Sequence, residues 1–258
     1  MEKTKIEYCD STLNIITGCH NTCPWCYARR TAERFKGCNA SPTGITDSDV
    51  MVLEEPEYFT TKDGRQLKAV YPYGFVPTFH EYRLKDNQTR KLGETVFVGS
   101  MADCFGPWVP DEWIFKIFAY CKSMPGHRWL FLTKYPERYI ELAKKGILPK
   151  GDEFWYGSTA TGPNKPVFWS DEHNTFVSIE PILEPFGEYD GEMFFDKIDW
   201  IILGAETGKS KDKTVPKRTW IEVLVNKARR TDTPVFMKDS LKDVWGEDII
   251  TKLPWDKK

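Results

Sequence analysis

Seven short apolar runs recur along this chain, and each gives way at once to small or polar residues. Leu13-Asn14-Ile15-Ile16-Thr17-Gly18 leads into Cys19, Thr95–Gly99 into Ser100-Met101-Ala102-Asp103, and Trp129–Leu132 into Thr133-Lys134. Phe154–Gly157 leads into Ser158-Thr159, Phe176–Ile179 into Glu180-Pro181, Trp200–Leu203 into Gly204-Ala205-Glu206-Thr207, and Pro234–Met237 into Lys238-Asp239. Nearly unbroken apolar runs of this length predict strands buried on both faces, as in a parallel sheet.

Helical periodicity fills several of the gaps. Tyr27–Phe35 is short and helix-compatible. Asp111–Lys122 starts after Pro110, carries acids in its first turn and sets Ile114, Ile117, Phe118 and Cys121 on one face. Pro136–Lys145 groups Tyr139, Leu142 and Ala143 and stops at Gly146. Arg218–Arg230 groups Ile221, Leu224, Val225 and Ala228. The segments after Ser158 and Glu180 have no clear helical pattern. This alternation predicts the α/β class, as a β/α barrel or an open parallel sheet. In such barrels the working groups lie on the loops after the strands, where the polar residues above fall.

Residues 39–93 break the rhythm. The segment holds the turn signal Thr61-Lys62-Asp63-Gly64-Arg65 and many aromatics, among them Tyr71 and Tyr82. It reads as an insertion in a single domain of residues 1–258, partly covering the barrel mouth or packed on its side.

Composition narrows the class. At 258 residues and 40% hydrophobic the chain can bury a sizeable core. A net charge of −2 and a pI near 6.2 give no global basic field, so nucleic-acid binding would need a local patch. Arg65, Lys68, Arg83, Lys85, Arg90 and Lys91 supply candidates within the insertion, with Tyr71 and Tyr82 as stacking surfaces for bases. Met1-Glu2-Lys3-Thr4-Lys5 lacks the apolar core of a signal peptide, and no run of about 18 apolar residues spans a membrane. The seven cysteines form no evident disulfide framework, so the reducing cytoplasm is the expected location.

Three of those cysteines carry the chemistry. Cys19-His20-Asn21-Thr22-Cys23-Pro24-Trp25-Cys26 has the spacing C-x-x-x-C-x-x-C. Three thiolates on one loop suit three corners of a cubic iron–sulfur cluster, leaving the fourth iron open to a small molecule. They also suit zinc, with His20, Cys9, Cys38 or His80 as a fourth ligand, in a non-catalytic binding module.

With Trp25 just before the third cysteine, the motif resembles that of the radical S-adenosylmethionine (SAM) superfamily. The resemblance implies a partial TIM-type barrel of about six or seven β/α units, with an insertion after the cluster-binding helix. It implies a [4Fe–4S] cluster on Cys19, Cys23 and Cys26, SAM on the open iron, and Trp25 near the adenine. Asp10–Asn14, Val98–Asp103, Leu132–Arg138, Val177–Pro181 and Asp199–Gly208 are together similar to blocks of a phage-associated radical-SAM-type family of unestablished reaction. Three departures stand out: a shortened first cysteine spacing, Ala205 and Thr207 in the Gly-Gly-Glu-Ser-Gly block, and Cys104 in place of an apolar residue. A weaker likeness runs to spore photoproduct lyase, a radical SAM enzyme that repairs DNA. It implies SAM-facing places for Ser100, Asp103, Lys134 and Ser158.

The implied enzyme reductively cleaves SAM to a 5′-deoxyadenosyl radical that abstracts hydrogen from a substrate. It draws its electron from a donor such as flavodoxin or ferredoxin. DNA or RNA is the candidate substrate. Glu180 and Glu206 are candidates for the ribose hydroxyls, and Cys104 is a candidate hydrogen-atom donor or a small buried hydrophobe. The alternative is a zinc or iron–sulfur binding phage accessory protein without catalysis.

Overall fold

The computed structural model describes residues 4–36, 49–85, 92–187, 195–208 and 212–256. Its main sheet has seven strands, six formed by the later apolar runs and the first sharing only Leu13 with the run Leu13–Gly18. In chain order these are β1 (Ser11–Leu13), β7 (Thr95–Val98), β8 (Arg128–Thr133), β9 (Phe154–Thr159), β10 (Asn174–Ile179), β11 (Trp200–Leu203) and β12 (Val235–Met237). The sheet order is β1-β7-β8-β9-β10-β11-β12, so each strand after β1 is added beside its predecessor. β1 pairs parallel with β7, and β9, β10, β11 and β12 pair parallel in turn. This is the α/β class and the strand order of a partial TIM-type barrel. Four helices stand where periodicity placed them: α1 (Tyr27–Phe35), α2 (Asp111–Lys122), α3 (Glu137–Lys144) and α4 (Arg218–Arg230). A one-turn helix, α5 (Lys242–Trp245), follows β12. Among the described residues no helix is long and apolar enough to cross a membrane.

The chain divides into two compact units. One comprises Met1–Thr4 and Ser11–Trp129, the other Lys5–Asp10 and Leu130–Lys258. In the second unit every residue of β9, β11 and β12 is buried, which explains their unbroken apolar runs. Val177, Ile179, Ile201 and Leu203 meet Ile221 and Leu224 of α4 in one apolar core. Gly157 of β9 leaves room for the Phe176 ring of β10.

In the first unit the run Leu13–Gly18 is not one strand. The Leu13 carbonyl accepts the Gly99 N–H at the end of β7 (2.8 Å). Two residues later the Ile15 carbonyl accepts the His80 N–H (2.8 Å). The chain therefore leaves the main sheet at Asn14 and enters a second one, β2-β6-β3, built from Ile16–Thr17, Thr78–His80 and Met51–Leu53. Phe79 of β6 stacks on Trp113 of α2 at 5.0 Å. The expected hairpin exists as β4 (Tyr58–Thr60) against β5 (Gln66–Lys68) around Gly64. The described part of the insertion thus folds as a small sheet plus a hairpin. Its residues 39–48 and 86–91 lie outside the described residues.

His80 is fully buried, with Nε2 at 2.8 Å from the Thr17 hydroxyl and Nδ1 at 3.4 Å from the Tyr82 hydroxyl. Burial pushes its imidazole down to about 2, and the Arg83 and Lys68 charges add to this. The folded ring is therefore neutral, whereas the unfolded one takes a proton below its ordinary value of 6.5. Stability should fall as pH drops through and below 6.5, by up to about 1.4 kcal/mol per pH unit from this group. Urea titrations between pH 7 and pH 4 should show a shallower pH slope in His80→Gln; an unchanged slope would mean that the ring is not held neutral.

Candidate functional site

The cysteine stretch starts from a glycine that no other residue can replace without strain. Gly18 has φ +84°, and a Cβ there would run into the Val76 carbonyl. Its N–H donates to the Met101 carbonyl (2.9 Å), and the next N–H, that of Cys19, donates to the Phe75 carbonyl (3.0 Å). The loop is thereby gripped on one side by the segment after β7 and on the other by the insertion. At its far end Cys26 caps α1, whose first turn holds no acid, and its Sγ accepts the Arg29 N–H (3.3 Å). The Arg29 side chain bonds the Cys19 and Asn21 carbonyls and lies over the Phe75 ring.

The Cys19 sulfur sits in an environment that resists free thiolate. Burial pushes the Cys19 thiol up to about 12, the Asn21 N–H to its Sγ pulls the other way, and Asp103, Cys23 and Cys26 raise it further by charge repulsion. A metal cation would relieve both the burial and the repulsion, because ligation deprotonates a thiol outright. Among the described residues no three His, Cys, Asp or Glu side chains converge on one ion. Zinc needs its thiolates at about 2.3 Å around a single centre, whereas a cubic cluster takes one thiolate at each of three corners. Three clustered thiols, with backbone N–H groups on the Cys19 and Cys26 sulfurs, are a donor set that fits three corners of a cubic cluster. His20 Nε2 is buried with no hydrogen-bond partner among the described residues, its ring edge-on to Trp108. His80, a candidate fourth zinc ligand, is instead occupied on both nitrogens. Cys9 belongs to the other unit, and Cys38 lies outside the described residues.

Four more candidates lie in the same unit. Trp25 is half-buried just before Cys26. The Ser100 hydroxyl donates to Asn14 Oδ1 (3.1 Å), and its carbonyl accepts the Tyr27 hydroxyl (2.6 Å). Asp103 is buried, and its Oδ1 accepts the Phe105 N–H (3.2 Å). Cys104 is buried against Gly99, and burial pushes its thiol well up, keeping it S–H.

In the second unit the candidates follow their strands. Lys134 is exposed after β8. Ser158 is fully buried within β9, with its hydroxyl accepting the Phe168 N–H (2.9 Å), so it anchors the following loop. Glu206 accepts the Thr214 N–H (3.0 Å). Glu180, after β10, forms an ion pair with Lys238, after β12. Gly204 lies between them and leaves room for the Glu180 side chain. Sequence reasoning passed over Lys238, although its place directly after the last apolar run was the available signal.

The insertion's proposed stacking surfaces are corrected here. Tyr71 and Tyr82 are buried at 8% and 5% exposure, so neither ring can receive a base. Lys68 covers the Tyr82 ring at 4.2 Å, and Arg83 bonds the Asn14 carbonyl. Arg90 and Lys91 lie outside the described residues. Tyr58 is the exposed aromatic near Arg65 and Lys68 in sequence.

A profile of the family described as "Protein of unknown function (DUF5131)" matches residues 3–252, and the chain belongs to that family. No curated protein matches the sequence. Among solved structures, a cysteine-to-alanine mutant of spore photoproduct lyase with dinucleoside spore photoproduct is 11% identical, with a TM-score of 0.47, over 95% of this chain and 77% of that one. Spore photoproduct lyase complexed with dinucleoside spore photoproduct gives 10% and the same TM-score and coverage. A tyrosine-to-phenylalanine mutant of the same lyase gives 9% and 0.47, over 95% and 76%.

Gly18 offers a test of how the loop is built. Gly64 has nearly the same φ, +83°, but a Cβ there would meet nothing within 4 Å. Gly64→Ala should cost only backbone strain, whereas Gly18→Ala adds the collision and should lose at least about 1 kcal/mol more in urea denaturation. Equal losses would remove the close approach of Val76.

Proposed function

We propose that this protein is a radical SAM enzyme whose Cys19, Cys23 and Cys26 hold a [4Fe–4S] cluster. The carrying observation is the cysteine loop itself, with C-x-x-x-C-x-x-C spacing, its first end fixed by backbone bonds and its far end by the Tyr27 hydroxyl, and with the buried Cys19 and half-buried Cys26 sulfurs accepting backbone N–H groups. When bound, the reduced cluster and SAM together supply one-electron cleavage of a carbon–sulfur bond and hence hydrogen abstraction from a substrate.

The chain's own residues bind, orient and exclude water. Burial of Cys19 beside Met101 and Phe75 keeps water from that sulfur. Trp25 offers a flat surface for adenine. Lys134 would meet the SAM carboxylate by a charge-assisted hydrogen bond, and Glu180 and Glu206 would accept hydrogen bonds from the ribose hydroxyls. Ser100 and Asp103 shape the segment after β7 beside the cysteines, and Ser158 acts through the loop that it anchors. Cys104, kept as S–H, has the bond that a hydrogen-atom donor needs, but its packing beneath Gly99 supports a structural role first. A small electron carrier such as flavodoxin or ferredoxin would serve as reductant.

Anaerobically reconstituted protein should bind about four irons and four sulfides per chain. Once reduced by dithionite it should release 5′-deoxyadenosine and methionine from SAM. Each of Cys19→Ala, Cys23→Ala and Cys26→Ala should abolish both properties. Lys134→Ala should weaken SAM binding about tenfold while the iron content holds. Stable zinc binding without iron–sulfur absorbance would sink the enzyme reading in favour of a metal-binding module.

We take single-stranded or distorted nucleic acid as the substrate class to test first, through Arg65, Lys68 and Lys85 with exposed Tyr58. The Arg65 and Lys85 partners, Asp63 and Glu55, are themselves well exposed, so these cations can exchange to phosphate. Binding should be weak and should fall steeply between about 50 and 200 mM salt. Paired charge removal at Arg65 and Lys85 should lower it without changing iron content. Absence of DNA or RNA binding at low salt would redirect the search to peptides and metabolites.

A further inference from the structure

Asn14 is the residue at which the first apolar run leaves one sheet for the other, and it is half-buried there. Its Oδ1 accepts two hydrogen bonds, from the Ser100 hydroxyl and the Met101 N–H, both at 3.1 Å. A backbone N–H can be accepted only by the amide oxygen, so the orientation of this carboxamide is fixed by its partners. The two residues that it holds grip both ends of the cysteine stretch. The Met101 carbonyl takes the Gly18 N–H, and the Ser100 carbonyl takes the Tyr27 hydroxyl. Behind Asn14 stands the insertion. Arg83 Nη1 donates to the Asn14 carbonyl and Nε to the hydroxyl of buried Tyr82 (3.3 Å). Within one unit, then, an unbroken relay runs from Arg83 through Asn14 to the segment that clamps the loop before Cys19 and after Cys26.

We propose that Asn14 and Arg83 are positioning residues for the cysteine loop, and that the insertion carrying Arg83 sets how firmly the loop keeps its metal centre. This rests on the cluster reading above. Neither residue is placed to touch the centre; both act through Ser100 and Met101. The carboxamide oxygen serves two donors at 3.1 Å, whereas its Nδ2 makes only a long bond to the Thr12 hydroxyl (3.5 Å). A carboxylate oxygen can serve the same two donors, so aspartate at position 14 should preserve the clamp where alanine destroys it. At position 83 methionine keeps much of the packing on Tyr82 and removes both donors.

The test compares the natural chain with Asn14→Ala, Asn14→Asp and Arg83→Met, in two arms. In the cluster-free protein, hydrogen exchange of the Gly18 and Cys19 amides should quicken about tenfold or more in Asn14→Ala, and less in Arg83→Met. In the reconstituted protein, iron release to a chelator should quicken in the same order, with a changed electron paramagnetic resonance signal on addition of SAM. Asn14→Asp should stay within about threefold of the natural chain in both arms. A general loss of fold would show in far-ultraviolet circular dichroism, and Arg83→Met then decides the matter alone. Exchange unchanged in both Asn14→Ala and Arg83→Met, or Asn14→Asp as fast as Asn14→Ala, overturns the proposal. If the natural chain takes up no cluster, the enzyme reading fails, while the exchange arm still decides whether the relay holds the loop.

Discussion

Two consecutive backbone N–H groups, those of Gly18 and Cys19, donate to carbonyls on opposite sides, Met101 and Phe75. The site in this unit depends on that pair of bonds. A strand can offer alternate donors to two neighbours, but here the second neighbour is a loop of the insertion, and it comes close only because residue 18 lacks a side chain. The constraint costs conformational freedom at each residue it fixes, about 1–2 kcal/mol of backbone entropy per residue. What it secures is a sulfur whose position is set before any metal arrives, as preorganised sites require.

The insertion takes its meaning from the same bonds. A segment of this length between a strand and the next parallel strand would ordinarily be a lid or a mobile excursion. Its described part is instead a structural partner of the cysteine loop. It contributes β6 to pair with β2, the Phe75 carbonyl to Cys19, and the Phe75 ring to Arg29. The buried tyrosines belong to this scaffold. Their hydroxyls reach Glu57 from Tyr73 and His80 from Tyr82, which gives each a polar partner at the end of an apolar body.

Much of the fold was legible in the sequence because both-sided burial writes itself as continuous apolar runs, and the six runs after the first became strands of the main sheet. The helices followed from period and punctuation, as with Pro110 before α2 and Gly146 after α3. The break at Asn14 was not legible. The apolar run continues through Ile15 and Ile16, and what splits it is a choice between two hydrogen-bonding partners distant in sequence, Gly99 and His80. The cysteines were legible by spacing alone. The burial of Tyr71 and Tyr82 was not, since aromatics interleaved with cations read alike as a binding face or as a local core. Lys238 stands directly after the last apolar run, but what singles it out, its partner Glu180, is 58 positions away in sequence.

The Glu180–Lys238 pair joins the ends of two strands that are not neighbours, since β11 lies between β10 and β12. It works as a tie-rod across that rim. Splaying of the three strand ends would stretch this charged link. Gly204, lying beneath the tie, keeps the middle strand from propping it open. The rim in this unit is thus held at a set width by side chains that exchange far faster than a sheet rearranges, and a bound anion competing for Lys238 would loosen it.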